Sequence, residues 1–414
     1  MSVVSPTSLR VAAPPREWPD PPDRVSPSSL SIIENCPRRW GLSNAQYPDI
    51  WPGKGYPPRI GLAALTGTVI HGAVEEITNA LIAVGCTSVQ DELAVSALKK
   101  LGGISAVVSA ATEKAIHKHR GNPRLSETLQ ILEKTVYDKV PTIRSQVQAL
   151  LSRIKLEPTG GKAGESFTSP SNRKALGRGS HSEVWLESAD AGWHGKPDLI
   201  TIRESSCEIR DFKTGEAKLE HEDQLKAYAF LWASDRARNP DGAPATALVL
   251  SYLGGDVEIP APTLDDLAEI AASLGRRRAS AIVEVASLPP PARPSAGACR
   301  YCDVRHLCDD YWKSSASSIG GTDGTLGPRW VDTEVRIQKR RGPRTWQVAT
   351  EGGALPVGTL ALLVLGTRDL EPRAGDRLRV LGAFETADAN DEGKPSIPIW
   401  STTKDTEVFR VAES

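Results

Sequence analysis

Apolar residues first recur with helical spacing just after Ser26-Pro27-Ser28-Ser29, where Leu30, Ile33 and Trp40 suit a short amphipathic helix capped by a serine. Residues 62–84, around Thr66-Gly67-Thr68-Val69-Ile70-His71, carry one apolar face and predict a longer helix. From about 89 to 155 the chain is rich in Ala, Leu, Lys and Glu at the same period, which predicts an all-helical insertion. Residues 158–180 hold Gly, Ser, Lys and Arg with little apolar content and read as a loop. The pattern then changes to short strands: Ser182–Glu187, Asp198–Ile202 and Cys207–Lys213. A helix over Glu220–Ala233, a buried strand over Ala247–Tyr252 and a helix over Leu264–Glu284 complete an α/β unit.

The ends of the chain differ from this middle. Residues 1–25 are Pro-rich and are expected to be a disordered tail. Pro289-Pro290-Pro291 leads into a cysteine cluster, and Ser314–Gly327 is Ser/Gly/Thr-rich, as in a linker. Beyond it, about five strand candidates are separated by Gly, Pro and Asp turns, among them Trp346–Ala349, Leu360–Leu365, Arg377–Leu381 and Val408–Val411. The expected organisation is therefore a tail (1–25), a large α/β domain (26–313) with its helical insertion (89–155), a linker (314–327) and a small all-β domain (328–414).

At 414 residues the chain has room for two or three domains. Its 50 basic and 51 acidic residues leave a net charge of −1, so a polyanion would have to be met by local patches. Arg38-Arg39, Arg276-Arg277-Arg278 and Lys339-Arg340-Arg341 with Arg344 are such runs, each equally readable as a solvated face. No stretch approaches the roughly 18 apolar residues of a membrane helix, and Met1–Asp23 lacks a signal-peptide pattern. A cytoplasmic, reducing location with no membrane partner is expected, where disulfides are rare.

The chemistry concentrates in the short strands. Asp211 and Lys213 are two apart and share a strand face, and a hairpin with the preceding strand would bring Asp198 close to Asp211. Two carboxylates held together need a cation, and hard oxygen ligands suit Mg²⁺ or Mn²⁺. A neighbouring lysine can orient the attacking water and offset charge on phosphoryl oxygens. D-x-K alone is a weak motif, since most instances are ordinary solvated strand ends. Its company strengthens it: Gln224 and Tyr228 stand at i, i+4 on the next helix, as His71 and Glu75 do upstream, although His71 by itself reads as an ordinary surface or core histidine.

The ordered set G-x-x-x-H (Gly67, His71), Glu183, G-x-x-D (Gly195, Asp198), D-x-K-T-G (Asp211 to Gly215) and Q-x-x-x-Y (Gln224, Tyr228) resembles the RecB family of nucleases. That family includes the nuclease domains of RecB and AddB and the CRISPR adaptation nucleases. The resemblance covers roughly residues 26–315. It implies a restriction-endonuclease-like P-D-(D/E)-x-K core with His71, Asp198, Asp211 and the Phe212 carbonyl as metal ligands and Lys213 as the catalytic lysine. Gln224 and Tyr228 would contact DNA or support the site, and Glu183 matches an acidic position of the family. The implied activity is metal-dependent hydrolysis of DNA, single-stranded or with free ends, in repair, recombination or phage defence. No Walker A motif is present, so a helicase or defence subunit would be a separate chain. The competing reading is a silent nucleic-acid-binding or scaffold subunit, against which the intact Asp198, Asp211 and Lys213 speak.

Cys299-x2-Cys302-x5-Cys308 has a metal-type spacing that lacks a fourth ligand. Cys86 and Cys207 lie in apolar segments and read as packed thiols, which leaves Cys36 as the better candidate. The same nuclease families include members with one distant N-terminal cysteine and a similar three-cysteine cluster. The resemblance thus implies a [4Fe–4S] cluster on Cys36, Cys299, Cys302 and Cys308. Spacing alone leaves zinc open, with His306 able to substitute in such a site.

Arg373–Phe384 resembles a strand–turn segment of OB-folds, which would imply a single-strand groove. Trp330, Trp346, Phe384 and Trp400, with Arg340, Arg341 and Arg344, are its candidate contacts. The plainer reading makes these aromatics the core of a small barrel, and protein docking is a third.

Overall fold

The computed structural model describes residues 11–158, 173–314, 329–353, 355–366, 371–386, 397–403 and 405–412. The first elements are β1 (Val11–Ala12), α1 (Pro27–Asn35), α2 (Pro37–Asn44) and the long α3 (Leu62–Ala83). They are followed by α4 (Glu92–Lys100), α5 (Ile104–His117), α6 (Leu129–Asp138) and α7 (Val140–Leu151). Ser26 caps α1 by accepting the Ser29 amide at 3.1 Å. In the helical part, Val69, Ala73 and Ile77 of α3 pack with Val108, Ile116, Val136, Ile143 and Val147 into one buried cluster. Each such Val or Ile side chain contributes about 1.5–3 kcal/mol on burial, which is what fixes short helices that would be marginal alone. No single helix among the described residues is long and apolar enough to cross a membrane.

The α/β part contains β2 (Gly179–Ser182), β3 (Leu186–Ser188), β4 (Trp193–Gly195), β5 (Leu199–Ile202), β6 (Cys207–Lys213), α8 (Leu219–Ser234), β7 (Ala247–Tyr252), β8 (Gly255–Ile259) and α9 (Leu264–Val285). Its sheet runs β2-β5-β6-β7-β8; β6 and β7 are parallel across α8, and the other pairs are antiparallel. Ile200, Ile209, Leu248 and Leu250 face a core shared with α1, α8 and α9, whereas Leu199 and Phe212 face α3 and the insertion. The sheet is thus covered on both faces.

Several expectations need correction. The single strand expected over Ser182–Glu187 is two strands of different sheets, broken at Glu183, whose φ of 52° is incompatible with extended backbone. The loop expected over 158–180 already enters β2 at Gly179, and residues 159–172 lie outside the described residues. Sequence reading also missed β8 and the β3–β4 hairpin. Residues 11–25 are not a disordered tail: Val25 is fully buried, its amide and carbonyl bonded to Gly192 and His194. Arg278 donates to the Asp23 carbonyl at 2.8 Å, and Arg277 grips Glu34 with two bonds of 2.7 Å, so this arginine run ties down the N-terminal segment.

After α10 (Ala296–Arg300) and α11 (Asp309–Lys313) come β9 (Arg329–Gly342), β10 (Thr345–Gly353), β11 (Leu360–Val364), β12 (Arg377–Thr386), β13 (Ile399–Ser401) and β14 (Glu407–Val411). The linker expected at 314–327 falls, but for Ser314, outside the described residues. Pairing runs β9–β10–β11–β13–β12 and returns from β12 to β9, closing a barrel; β11 and β13 are parallel. β14 continues along the edge of β12, and β1 from the far end of the chain adds to β14.

Candidate active site

Register brings the acidic residues together. Leu199 pairs with Arg210, so one step further along the antiparallel hairpin Asp198 stands opposite Asp211. Asp198 Oδ2 accepts the amide N–H of Phe212 at 2.5 Å, and its Oδ1 lies 3.4 Å from His71 Nδ1, which reaches in from α3. Lys213 pairs with Asp211 and donates to Gln224 Oε1 at 2.6 Å. Gln224 Nε2 in turn donates to the Tyr228 hydroxyl at 2.9 Å. Lys213 is therefore held from α8 by a two-member chain of hydrogen bonds.

Two glycines allow this approach. A Cβ on Gly195 would lie 2.7 Å from Tyr228 Cε1 and 2.8 Å from Leu231 Cδ1. On Gly67 it would lie 2.9 Å from the Thr214 hydroxyl, which can turn away.

Glu183 projects from its kink into a small cavity lined by His71, Glu75, Thr78, Ser182, Asp198 and Phe212. Burial, and then the charge of Asp198, raise the Glu183 pKa, although Lys196 pairs with it. Burial and Glu183 do the same to Glu75. Burial lowers the His71 pKa, but the hydrogen bond and charge of Asp198 outweigh it and the net shift is upward. Asp211 Oδ2 is buried, with the Lys213 ammonium beside it but no aligned hydrogen-bond donor. Four carboxylates thus face two lysines, a donor set that suits a divalent cation. Among the described residues no three His, Cys, Asp or Glu side chains are already drawn to one cation-binding point.

A model of the PD-(D/E)XK nuclease superfamily matches residues 24–309. The chain belongs to that superfamily. Its match to the PD-(D/E)XK pattern takes in the sheet, the helical insertion and the cysteine cluster, and stops before the barrel. No curated protein matches the chain. Among solved structures, one described as SSO0001 is similar at 19% identity over 32% of this chain and 61% of that one, with a TM-score of 0.22. The tetrameric p202 HIN2 is similar at 13% identity over 21% of this chain and 44% of that one, with a TM-score of 0.17. The chain thus spans less than two thirds of either.

Beside the PD-(D/E)XK site, sequence reasoning put Glu75 on the helix face of His71 without giving it a role, and left out Lys196, which pairs with Glu183. It also left out Tyr252, which pairs with Lys213 across the parallel strands and whose hydroxyl meets His221 Nδ1 at 2.9 Å. The signal was available in the two strand ends, but only a parallel register aligns them.

Cys36, Cys299, Cys302 and Cys308 line one cavity with Arg38, Arg39 and Arg305. Cys36 sits in extended backbone at the corner between α1 and α2, and Cys308 likewise ahead of α11. Burial pushes the Cys302 thiol up to about 12 and the Cys308 thiol to about 11. Cys86 and Cys207 are core thiols, as expected. His306 does not line this cavity: it is fully buried between Tyr56 and Phe409, its ring centroid 4.0 Å from that of Phe409.

The barrel residues divide. Trp346 and Trp400 are core, their indole N–H groups donating to Pro372 O and to Glu385, so neither is a stacking platform. Trp330 is 45% exposed and packs edge-on against Phe384. Arg340 lies over the Trp346 ring and bonds Gly342 and Pro343 carbonyls, Arg341 bonds Gln347, and Arg344 bonds Gly366 O, all at the surface.

Proposed function

We propose that this chain is a metal-dependent nuclease that hydrolyses phosphodiester bonds of DNA, single-stranded or with free ends. The observation that carries the reading is the convergence of Asp198, Asp211 and His71 at one end of the β5–β6 hairpin, with Lys213 restrained by Gln224. His71, Asp198, Asp211 and the Phe212 carbonyl would hold Mg²⁺ or Mn²⁺. The bound cation would supply Lewis-acid polarisation of a phosphoryl oxygen and an acidified water. Lys213 presents its ammonium at the same point, where it orients water and offsets charge developing on the phosphate. The Phe212 amide fixes the Asp198 carboxylate, and the Gln224–Tyr228 pair fixes the lysine.

The cysteine cavity fits a thiolate-bound metal. Its buried thiols stay protonated when free, and a bound metal would stabilise the thiolates that burial disfavours. We assign it a [4Fe–4S] cluster, with zinc as the alternative occupant. The five-strand circuit of the barrel agrees with an OB-fold, and Trp330 with Arg340, Arg341 and Arg344 would be its strand contacts. A separate helicase or defence-system subunit is the expected protein partner.

The test is cleavage of end-labelled single- and double-stranded DNA, and of RNA, with Mn²⁺ or Mg²⁺, wild type beside Lys213→Ala. Loss of cleavage in the variant supports the assignment, and the product ladder separates end-directed from internal cutting. A folded, iron-loaded wild type that binds DNA without cutting it would instead favour a binding subunit.

A further inference from the structure

A second cavity lies away from the carboxylates. It measures about 520 Å³ and lies where the helical insertion, the first turn of α3 and the barrel meet. Ile60, Leu62, Leu125, Ile131 and Leu132 form an apolar wall. Ser126, Glu127, Thr128, Asp405 and Thr406 supply polar lining. Pockets of this size, apolar with a few convergent polar groups, are the usual form of a small-ligand site. Ile131 is 48% exposed at its mouth, an apolar side chain that the fold leaves uncovered.

Arg59, Arg124, Glu127, Asp405 and Glu407 bring charge to the cavity. Arg124 is buried and grips Glu407 through two bonds of 2.7 and 2.9 Å, so that pair neutralises itself. Arg59 is 42% exposed, donates to the Asp405 carbonyl at 3.2 Å and approaches Glu407 at 3.6 Å, so its guanidinium is anchored at one edge with the rest of it open to solvent. No side chain caps α3. The same helix carries His71 nine residues on, about 14 Å along its axis at 1.5 Å per residue. The cavity and the carboxylate site are thus two stations on one rigid helix.

We propose that this cavity seats an unpaired nucleotide of the substrate strand, further along the same strand from the phosphate at Asp198 and Asp211. The base lies against the Leu62–Ile131–Leu132 wall, its polar edge meets the Ser126–Thr128 and Asp405–Thr406 groups, and its phosphate meets Arg59. A duplex cannot enter without unpairing that base, so the cavity selects single strands. This inference rests on the nuclease reading for its substrate, but its test does not require cleavage.

The experiment measures binding of a labelled single-stranded oligodeoxynucleotide, and of the same sequence as a duplex, to full-length Lys213→Ala protein. Ile131→Glu and Arg59→Ala are added singly; both sites are exposed, and melting curves matching the parent establish that they fold. Ile131→Glu should weaken single-strand binding about tenfold or more by opposing the phosphates, with duplex binding unchanged. Arg59→Ala should flatten the slope of log K against log salt by about 0.7, one phosphate contact on a single strand. Parental single-strand affinity and salt slope in both variants would overturn the proposal. Equal weakening for single strand and duplex would also overturn it, showing a general electrostatic effect. Cleavage by the Lys213 protein is scored separately. Cutting with unchanged binding in both variants removes the pocket and leaves the nuclease, and pocket-dependent binding without cutting does the reverse.

Discussion

Replacing Gln224 by Met keeps the length of the side chain and removes its amide, which tests whether the Q-x-x-x-Y pair acts through Lys213 or on the substrate. The Lys213 side chain is 16% exposed, and its bond to Gln224 Oε1 is a charge-assisted one of 2.6 Å. Such bonds are worth about 1.5–3 kcal/mol. At about 1.4 kcal/mol per factor of ten, kcat should fall roughly 10- to 150-fold with KM little changed. Tyr228→Phe removes only a neutral bond to Gln224, worth about 0.5–1.5 kcal/mol, and should cost roughly 2- to 12-fold. Because the tyrosine reaches the lysine only through the glutamine, the double variant should match Gln224→Met alone. The assay is single-turnover cleavage of a labelled oligonucleotide, with Lys213→Ala marking the floor about 10²–10⁴ below wild type. Multiplying losses in the double variant, or a rise in KM at constant kcat, would refute the chain and make these residues direct substrate contacts.

Three further outcomes follow from the geometry. Gly195→Ala places a methyl 2.7 Å from Tyr228 Cε1 and should cost about 1–3 kcal/mol in stability along with activity, while Gly67→Ala displaces only the Thr214 hydroxyl and should be milder in both; melting and cleavage of the pair decide it. Burial raises the folded pKa of Glu183 above 4.5, so its contribution is favourable at low pH and is lost as pH rises from 4.5 through the raised value. Glu183→Gln should therefore raise Tm above that window when no divalent cation is added, by about 2–4 °C per kcal/mol relieved, with no gain below it; a lower Tm at neutral pH would sink the reasoning. Cys302→Ser should give colourless, aggregation-prone protein without iron, and a soluble, fully active, iron-free variant would remove the cluster assignment.

Local pattern made most elements legible. Helical periodicity placed α3 and the insertion, and apolar runs placed β6 and β7. The juxtaposition of Asp198 with Asp211 followed from the two-residue period of strands and a hairpin assumption that the register supports. What stayed hidden depended on partners distant in the chain. Val25 and Ala12 sit in Pro-rich sequence that looks unable to form a core, yet each borrows a wall from residues far downstream. The kink at Glu183 was invisible because a non-glycine residue at positive φ is rare and β2 and β3 flank it with strand-like composition. Trp346 and Trp400 illustrate the limit for aromatics: composition cannot tell a stacking face from a core, and only barrel closure turns both inward.

That closure bears on how the two halves of the chain work together. Three arginines from three regions join the cysteine segment to its neighbours. Arg124, from the insertion, donates to the Asp303 carbonyl at 2.8 Å while holding Glu407 of β14. Arg305, within the segment, pairs with Asp332 of β9 at 2.8 Å, and Tyr311 donates to the same carboxylate at 2.7 Å. Arg379, on β12, donates to the His306 carbonyl at 2.7 Å and to Glu334 at 2.6 Å. Arg124 and Arg379 are almost entirely buried, and a buried charge deprived of its partner costs about 3–5 kcal/mol. Pulling the barrel away would strand several such charges at once and expose the face where His306 stacks on Phe409. The barrel is therefore pinned to the cysteine segment and the insertion, and β1, pairing with β14, ties the N-terminal segment to it as well. The cavity beside Arg59 is lined from both sides of this junction, so its shape depends on the same bonds.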